Sequence, residues 1–103
     1  MKQKNKMLKK GEVINNTYEV IFFIGQGAFG EVYRVKHKFF DEFQVMKVFK
    51  DDYVEKTELN EVIKEGRILT RLTHPNVVKI FEINTFNKND KDHYYITMSF
   101  VSG

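Results

Sequence analysis

Most of the chain alternates between apolar and polar positions or runs in short apolar blocks, and the period lengthens over one stretch in the middle. Tyr18 to Ile24 reads Tyr-Glu-Val-Ile-Phe-Phe-Ile, a β-branched and aromatic run that predicts a strand. Gly25-Gln26-Gly27-Ala28-Phe29-Gly30 punctuates it, and Glu31 to His37 resumes strand character with polar positions interleaved. Residues 38–42 turn the chain, and Phe43 to Phe49 make a third strand whose apolar content is Val45, Met46, Val48 and Phe49. From Glu58 to Leu72 the period lengthens: Leu59, Val62, Ile63, Gly66, Leu69 and Leu72 recur at the spacing of an amphipathic helix. Thr57 with Asn60 or Glu61 offers capping chemistry at its start, and His74-Pro75-Asn76 stops it, since proline disfavours helix in the residue before it. Val77 to Phe86 predicts a fourth strand, Asn87 to Asp92 a solvated turn, and His93 to Val101 a fifth strand. Short links favour antiparallel pairing. The expected fold is α+β, a five-stranded antiparallel sheet with one helix packed on a face.

Composition narrows the function classes. A chain of 103 residues is one small domain, and with no cysteine it has neither a disulfide frame nor a thiolate site. The 17 Lys and Arg against 14 Asp and Glu are unevenly placed, because Lys2, Lys4, Lys6, Lys9 and Lys10 crowd the start. Without those five the balance is 12 basic against 14 acidic residues, which argues against a nucleic-acid surface on the domain itself. Residues 1–16 are expected to be a basic, flexible N-terminal segment and residues 17–103 the folded domain. No apolar run reaches the roughly 18 residues of a membrane span and no secretory leader is evident, so a cytoplasmic location is expected, with neither membrane nor nucleic acid as partner.

The candidate chemistry begins at Gly25-x-Gly27-x-x-Gly30. In a dinucleotide fold such glycines open a helix, but here Glu31-Val32-Tyr33-Arg34-Val35 lacks helical spacing. The remaining choices are an ordinary hairpin and a glycine-rich loop that holds backbone N–H groups over phosphates. Lys47, on a strand between Met46 and Val48, bears on that choice. Its plain reading is a snorkelling edge lysine; its functional reading needs a carboxylate partner and an anionic ligand. Glu65 lies on the inner edge of the helix stripe set by Val62, Leu69 and Leu72, whereas Glu61 lies further toward solvent. Glu65 could equally pair with Lys64 or Arg67 in solvent. Gly66 costs about 1 kcal/mol in a helix interior relative to alanine and is consistent with close approach to the sheet. His37, His74 and His93 are scattered without ligand spacing.

Taken together, these motifs resemble the N-terminal lobe of a eukaryotic-type protein kinase, in its bacterial-type Ser/Thr form. The resemblance is carried by Gly25-Gln26-Gly27-Ala28-Phe29-Gly30-Glu31-Val32, Val45-Met46-Lys47, Glu65, His74-Pro75-Asn76-Val77-Val78-Lys79-Ile80 and Tyr95-Ile96-Thr97-Met98-Ser99-Phe100-Val101-Ser102-Gly103. It implies ATP as ligand. Backbone from Gly25 through Gln26, Gly27, Ala28 and Phe29 to Gly30 would cover the phosphates, with Phe29 at the loop tip. Ile24, Val32 and Val45 would roof the adenine. Lys47 would hold the α- and β-phosphates and pair with Glu65. Met98 takes the gatekeeper position, with Leu69 and Ile80 behind it, and the backbone of Ser99 and Val101 would bond the adenine edge. The family usually has alanine where Val45 stands, and the added bulk is expected to weaken nucleotide binding.

The resemblance also implies what these residues lack. The catalytic-loop Asp and Asn and the Asp-Phe-Gly metal ligand belong to a second, C-terminal lobe with no counterpart before Gly103. Magnesium is expected with ATP, but its protein ligands are not here. The expectation is an ATP-binding N-lobe, inactive alone, whose partner is a kinase C-lobe from the same gene or a separate chain. The alternative is a non-catalytic kinase-lobe module that docks on another protein. The intact glycine loop and Lys47 favour the first, because a pure scaffold needs neither. A nucleic-acid binder using the basic head is weaker still, since no aromatic residues interleave the lysines.

Overall fold

In the computed structural model, which describes residues 6–51 and 78–100, the alternating runs become six strands. These are β1 (Val13–Ile14), β2 (Tyr18–Gln26), β3 (Gly30–His37), β4 (Glu42–Phe49), β5 (Val78–Lys88) and β6 (Lys91–Phe100). They form one sheet in the order β1-β2-β3-β4-β6-β5, with every neighbouring pair antiparallel. The five strands expected from the periodicity are all present, and among the described residues β1 makes a sixth. That strand is two residues long, too short to register as a period. The helix expected over 58–72, and with it Glu65, lies outside the described residues, as does Val101.

Turn chemistry explains the register. The β5–β6 hairpin closes through Asn89 and Asp90 at φ 54° and 63°, the left-handed pair that a tight two-residue hairpin turn requires and that Asn and Asp tolerate. The solvated link expected over 87–92 is therefore mostly strand, with Asn87 facing Asp92 and Lys88 facing Lys91. Two irregularities in β2, between Val20 and Phe22 and between Phe23 and Gly25, each insert an extra residue and bend the strand.

Alternation then sorts the side chains onto two faces. One face carries the larger core: Ile14, Tyr18, Val20, Tyr33, Val35, Met46, Val48, Phe86 and Tyr95 are all buried, with Leu8 of the basic head packed among them at 2% exposure. The other face carries Val45, Phe49, Ile96 and Met98, flanked by Phe29, Val32, Ile80 and Tyr94.

The larger core contains a polar seam. The Tyr18 hydroxyl donates to Glu82 Oε1 at 2.7 Å and the Tyr95 hydroxyl to the same oxygen at 2.9 Å, while Asn15 Nδ2 donates to the Tyr95 hydroxyl at 3.0 Å. Burial and the Glu82 carboxylate push the Tyr18 hydroxyl up to about 12 and raise that of Tyr95 above its ordinary value.

Candidate functional site

The second face assembles most of the residues singled out in the sequence. Along β4, Val45 and Lys47 point the same way. Val32 of β3 stands opposite Lys47, Ile96 of β6 stands opposite it on the other side, and Met98 stands opposite Val45. The Lys47 ammonium thus sits beside an apolar floor of Val32, Val45, Ile96 and Met98, of which Val45, Ile96 and Met98 are buried, while Arg34, opposite Val45 on the same face, reaches out over the Phe43 ring. Apolar walls with the Lys47 cation set among them suit a ligand that has a flat apolar part and an anionic part.

The glycine segment closes over the end of this face. Gln26 pairs with Glu31 as the last rung of the β2–β3 ladder, and the loop beyond it is tied by Gly27 N–H to Gly30 C=O at 2.9 Å and by Gly30 N–H to Gly27 C=O at 3.3 Å. Lys50 N–H donates to Phe29 C=O at 2.8 Å, which pins the loop to the end of β4. Gly30 has φ +150° with its Cα against β4, so any side chain there would run into the Val48 carbonyl. Gly27 has a different reason. A Cβ would lie 2.8 Å from the Phe29 ring, so the missing side chain makes room for the phenyl group.

That ring is turned inward. Phe29 contacts Phe49 edge to face at 6.3 Å, and Lys47 Nζ lies 4.1 Å from the Phe29 ring centre and 5.5 Å from that of Phe49. The resemblance placed Phe29 at the loop tip; the structure seats its ring against the lysine, a contact that spacing alone cannot reveal. Gln26, Gly27 and Ala28 are exposed, and Ile24, at the second β2 irregularity, is 49% exposed. Ser99 is half-buried on β6 opposite Lys79. Among the described residues, no group of three or more His, Cys, Asp or Glu side chains could hold a metal ion. No helix among them is long and apolar enough to cross a membrane.

A second set of contacts was missed by sequence reasoning. The backbone N–H of Met7 donates to Glu31 Oε1 at 3.0 Å and that of Leu8 to the Tyr33 hydroxyl at 3.0 Å. The Tyr33 hydroxyl donates to Glu31 Oε1, and burial together with that carboxylate raises its pKa. Lys88 Nζ binds both Glu12 oxygens and the Met7 carbonyl. Burial alone would raise the Glu12 pKa, but the Lys88 contact and the Lys9 N–H hold it below the ordinary range. The available signal was Leu8, a lone large aliphatic among lysines.

Comparison with known proteins places this geometry. The family profile of the protein kinase domain matches residues 18–103. The Arabidopsis thaliana serine/threonine-protein kinase AtPK2/AtPK19 is 37% identical over 87 residues, covering 84% of this chain and 18% of the relative. The Protochlamydia amoebophila serine/threonine-protein kinase PknD is 31% identical over 87 residues, covering 84% of this chain and 8% of the relative. The crystal structure of the Mycobacterium tuberculosis PknI kinase domain superposes with a TM-score of 0.66 at 26% identity, covering 91% of this chain and 36% of that one. The chain thus spans less than a fifth of the length of these two curated relatives.

Proposed function

The chain belongs to the protein kinase family, and on that footing we propose that it is the ATP-binding N-lobe of a serine/threonine kinase, with Lys47 as the phosphate-binding cation. The observation that carries this reading is the placement of Lys47 among Val32, Val45, Ile96 and Met98, on the face that the glycine loop closes. The adenine lies against Val32, Val45 and Met98, with Ile24 at the rim and the backbone of Ser99 and Val101 along its edge. The phosphates lie under Gly25 to Gly30, where the Lys47 ammonium offers three donors to their oxygens. Glu65 would pair with Lys47 and hold it in position, as the family resemblance implies.

ATP binding comes from these residues; transfer to a protein hydroxyl does not. In phosphoryl transfer the protein contributes positioning and charge stabilisation, and both need metal ligands and a residue that orients the acceptor hydroxyl. When bound, magnesium would neutralise phosphate charge, and the family's ligands for it would come from the C-lobe. The 103 residues taken alone therefore bind nucleotide weakly and do not turn it over. The partner that completes the site is a kinase C-lobe, in the same gene product or another chain, acting in the cytoplasm. The half of the ligand facing that lobe stays wet without it.

Titration calorimetry with Mg-ATP tests this. Wild-type chain is expected to bind with a millimolar dissociation constant, worth about 4 kcal/mol, and Lys47→Met to show no measurable binding. Equal heats from the two proteins would overturn the assignment of Lys47.

A further inference from the structure

We propose that the N-terminal segment Lys6–Glu12, which precedes the family match at residue 18, is a strap that positions the glycine-rich loop through Glu31 and Tyr33. This rests on the nucleotide reading of the loop but is read out independently of it.

The strap is built in, not laid loosely on the surface. Leu8 is buried in the larger core, and Met7 and Phe23 pack against that core. Gly11 N–H donates to Val20 C=O at 2.7 Å, and Val20 N–H donates to Glu12 C=O at 2.8 Å, which adds main-chain pairing just before β1. Lys88 anchors the segment from the β5 end through Glu12 and the Met7 carbonyl, and Lys6 Nζ lies 4.7 Å from the Phe23 ring centre.

Its point of attachment gives it a role beyond stability. Glu31 is the residue after Gly30 and half of the Gln26–Glu31 rung from which the loop springs. Its side chain points with that of Tyr33 to the face opposite Lys47. There it accepts from Met7 N–H and from the Tyr33 hydroxyl, and that hydroxyl accepts from Leu8 N–H. The base of the loop is thereby held from behind by two main-chain donors of the strap. The loop's distance from Lys47 depends on the tilt of this rung. A strap that lets go frees the rung to move without breaking the sheet.

The test uses the whole chain and two near-isosteric variants that remove the polar atoms, Tyr33→Phe and Glu31→Met. Amide hydrogen exchange is followed at Gly27 to Glu31, with Met46 and Ile96 as interior references. In both variants loop exchange is expected to accelerate about three- to tenfold, the change that one hydrogen bond makes to a local opening equilibrium, with the references unchanged. Faster exchange at Met7 and Leu8 with an unchanged loop would overturn the inference. So would equal acceleration at loop and references, which marks a purely structural role. Mg-ATP affinity, measured in parallel, is expected to weaken about threefold in the variants. A wild-type chain that binds no nucleotide would contradict the proposed function, and the exchange data would still decide the strap.

Discussion

Lys47 Nζ lies 4.1 Å from the centre of the Phe29 ring, so the cation assigned to the phosphates already faces the π-electrons of the loop that would cover them. A cation over an aromatic face gains about 0.5–2 kcal/mol, depending on how far it is desolvated. Phosphate oxygens compete for the same ammonium.

The first prediction follows from that competition. Phe29→Leu keeps an apolar group against Phe49 but removes the ring quadrupole. Mg-ATP affinity is expected to rise by about two- to fivefold, equivalent to roughly 0.5–1 kcal/mol. Calorimetric titration of the variant beside wild type checks it, and an affinity that falls would show that the ring assists the nucleotide instead of competing with it.

The glycines predict a graded series. Gly30→Ala sets a Cβ against the backbone carbonyl of Val48 at a φ that side chains rarely adopt, and is expected to cost about 3 kcal/mol or more. Gly27→Ala meets only the Phe29 ring, which can swing aside, and should cost about 1 kcal/mol. A Cβ on Gly25 meets nothing within 4 Å, so Gly25→Ala should stay within about 0.5 kcal/mol. Urea unfolding of the three variants reads the order directly; Gly25→Ala as the most damaging would contradict the loop geometry.

Alkaline pH should loosen the fold through its tyrosines. The Tyr18 hydroxyl is pushed up to about 12 by burial and by Glu82, and Tyr33 and Tyr95 are raised by burial and by Glu31 and Glu82 respectively. The unfolded chain loses these protons near pH 10 while the folded chain keeps them, so the stability they contribute is full below pH 10 and declines above it. Melting temperature is expected to be flat from pH 8 to 9 and to fall between pH 10 and 12. Tyr95→Phe should cost about 1 kcal/mol at neutral pH and make the alkaline decline shallower. A decline of unchanged steepness in Tyr95→Phe would remove this tyrosine from the account.

Period-two alternation made strands β2 to β6 legible, because each has a buried face and so leaves its pattern in the residue types. The Lys47 site was legible for the same reason: alternation along β4 puts Val45 and Lys47 on one face, and glycines mark where a backbone must come close. Three features were not. Strand β1 is two residues long and leaves no period. Leu8 is one aliphatic among lysines, and its burial depends on a groove made by β2 and β3. The Tyr18–Glu82–Tyr95 seam joins residues 64 positions apart in sequence, brought together at the β5 irregularity between Ile80 and Glu82. No local signal encodes that meeting.

The placement of nucleotide on the Lys47 face beneath the glycine loop can be seen most directly by mapping backbone amide shifts during titration with Mg-ATP. Shifts are expected at Gly25 to Gly30, Val32, Val45, Lys47 and Met98, and are expected to be lost in Lys47→Met. Shifts confined to the separate groove lined by Lys6, Lys9, Lys10 and Lys88, or shifts that persist unchanged in Lys47→Met, would contradict it.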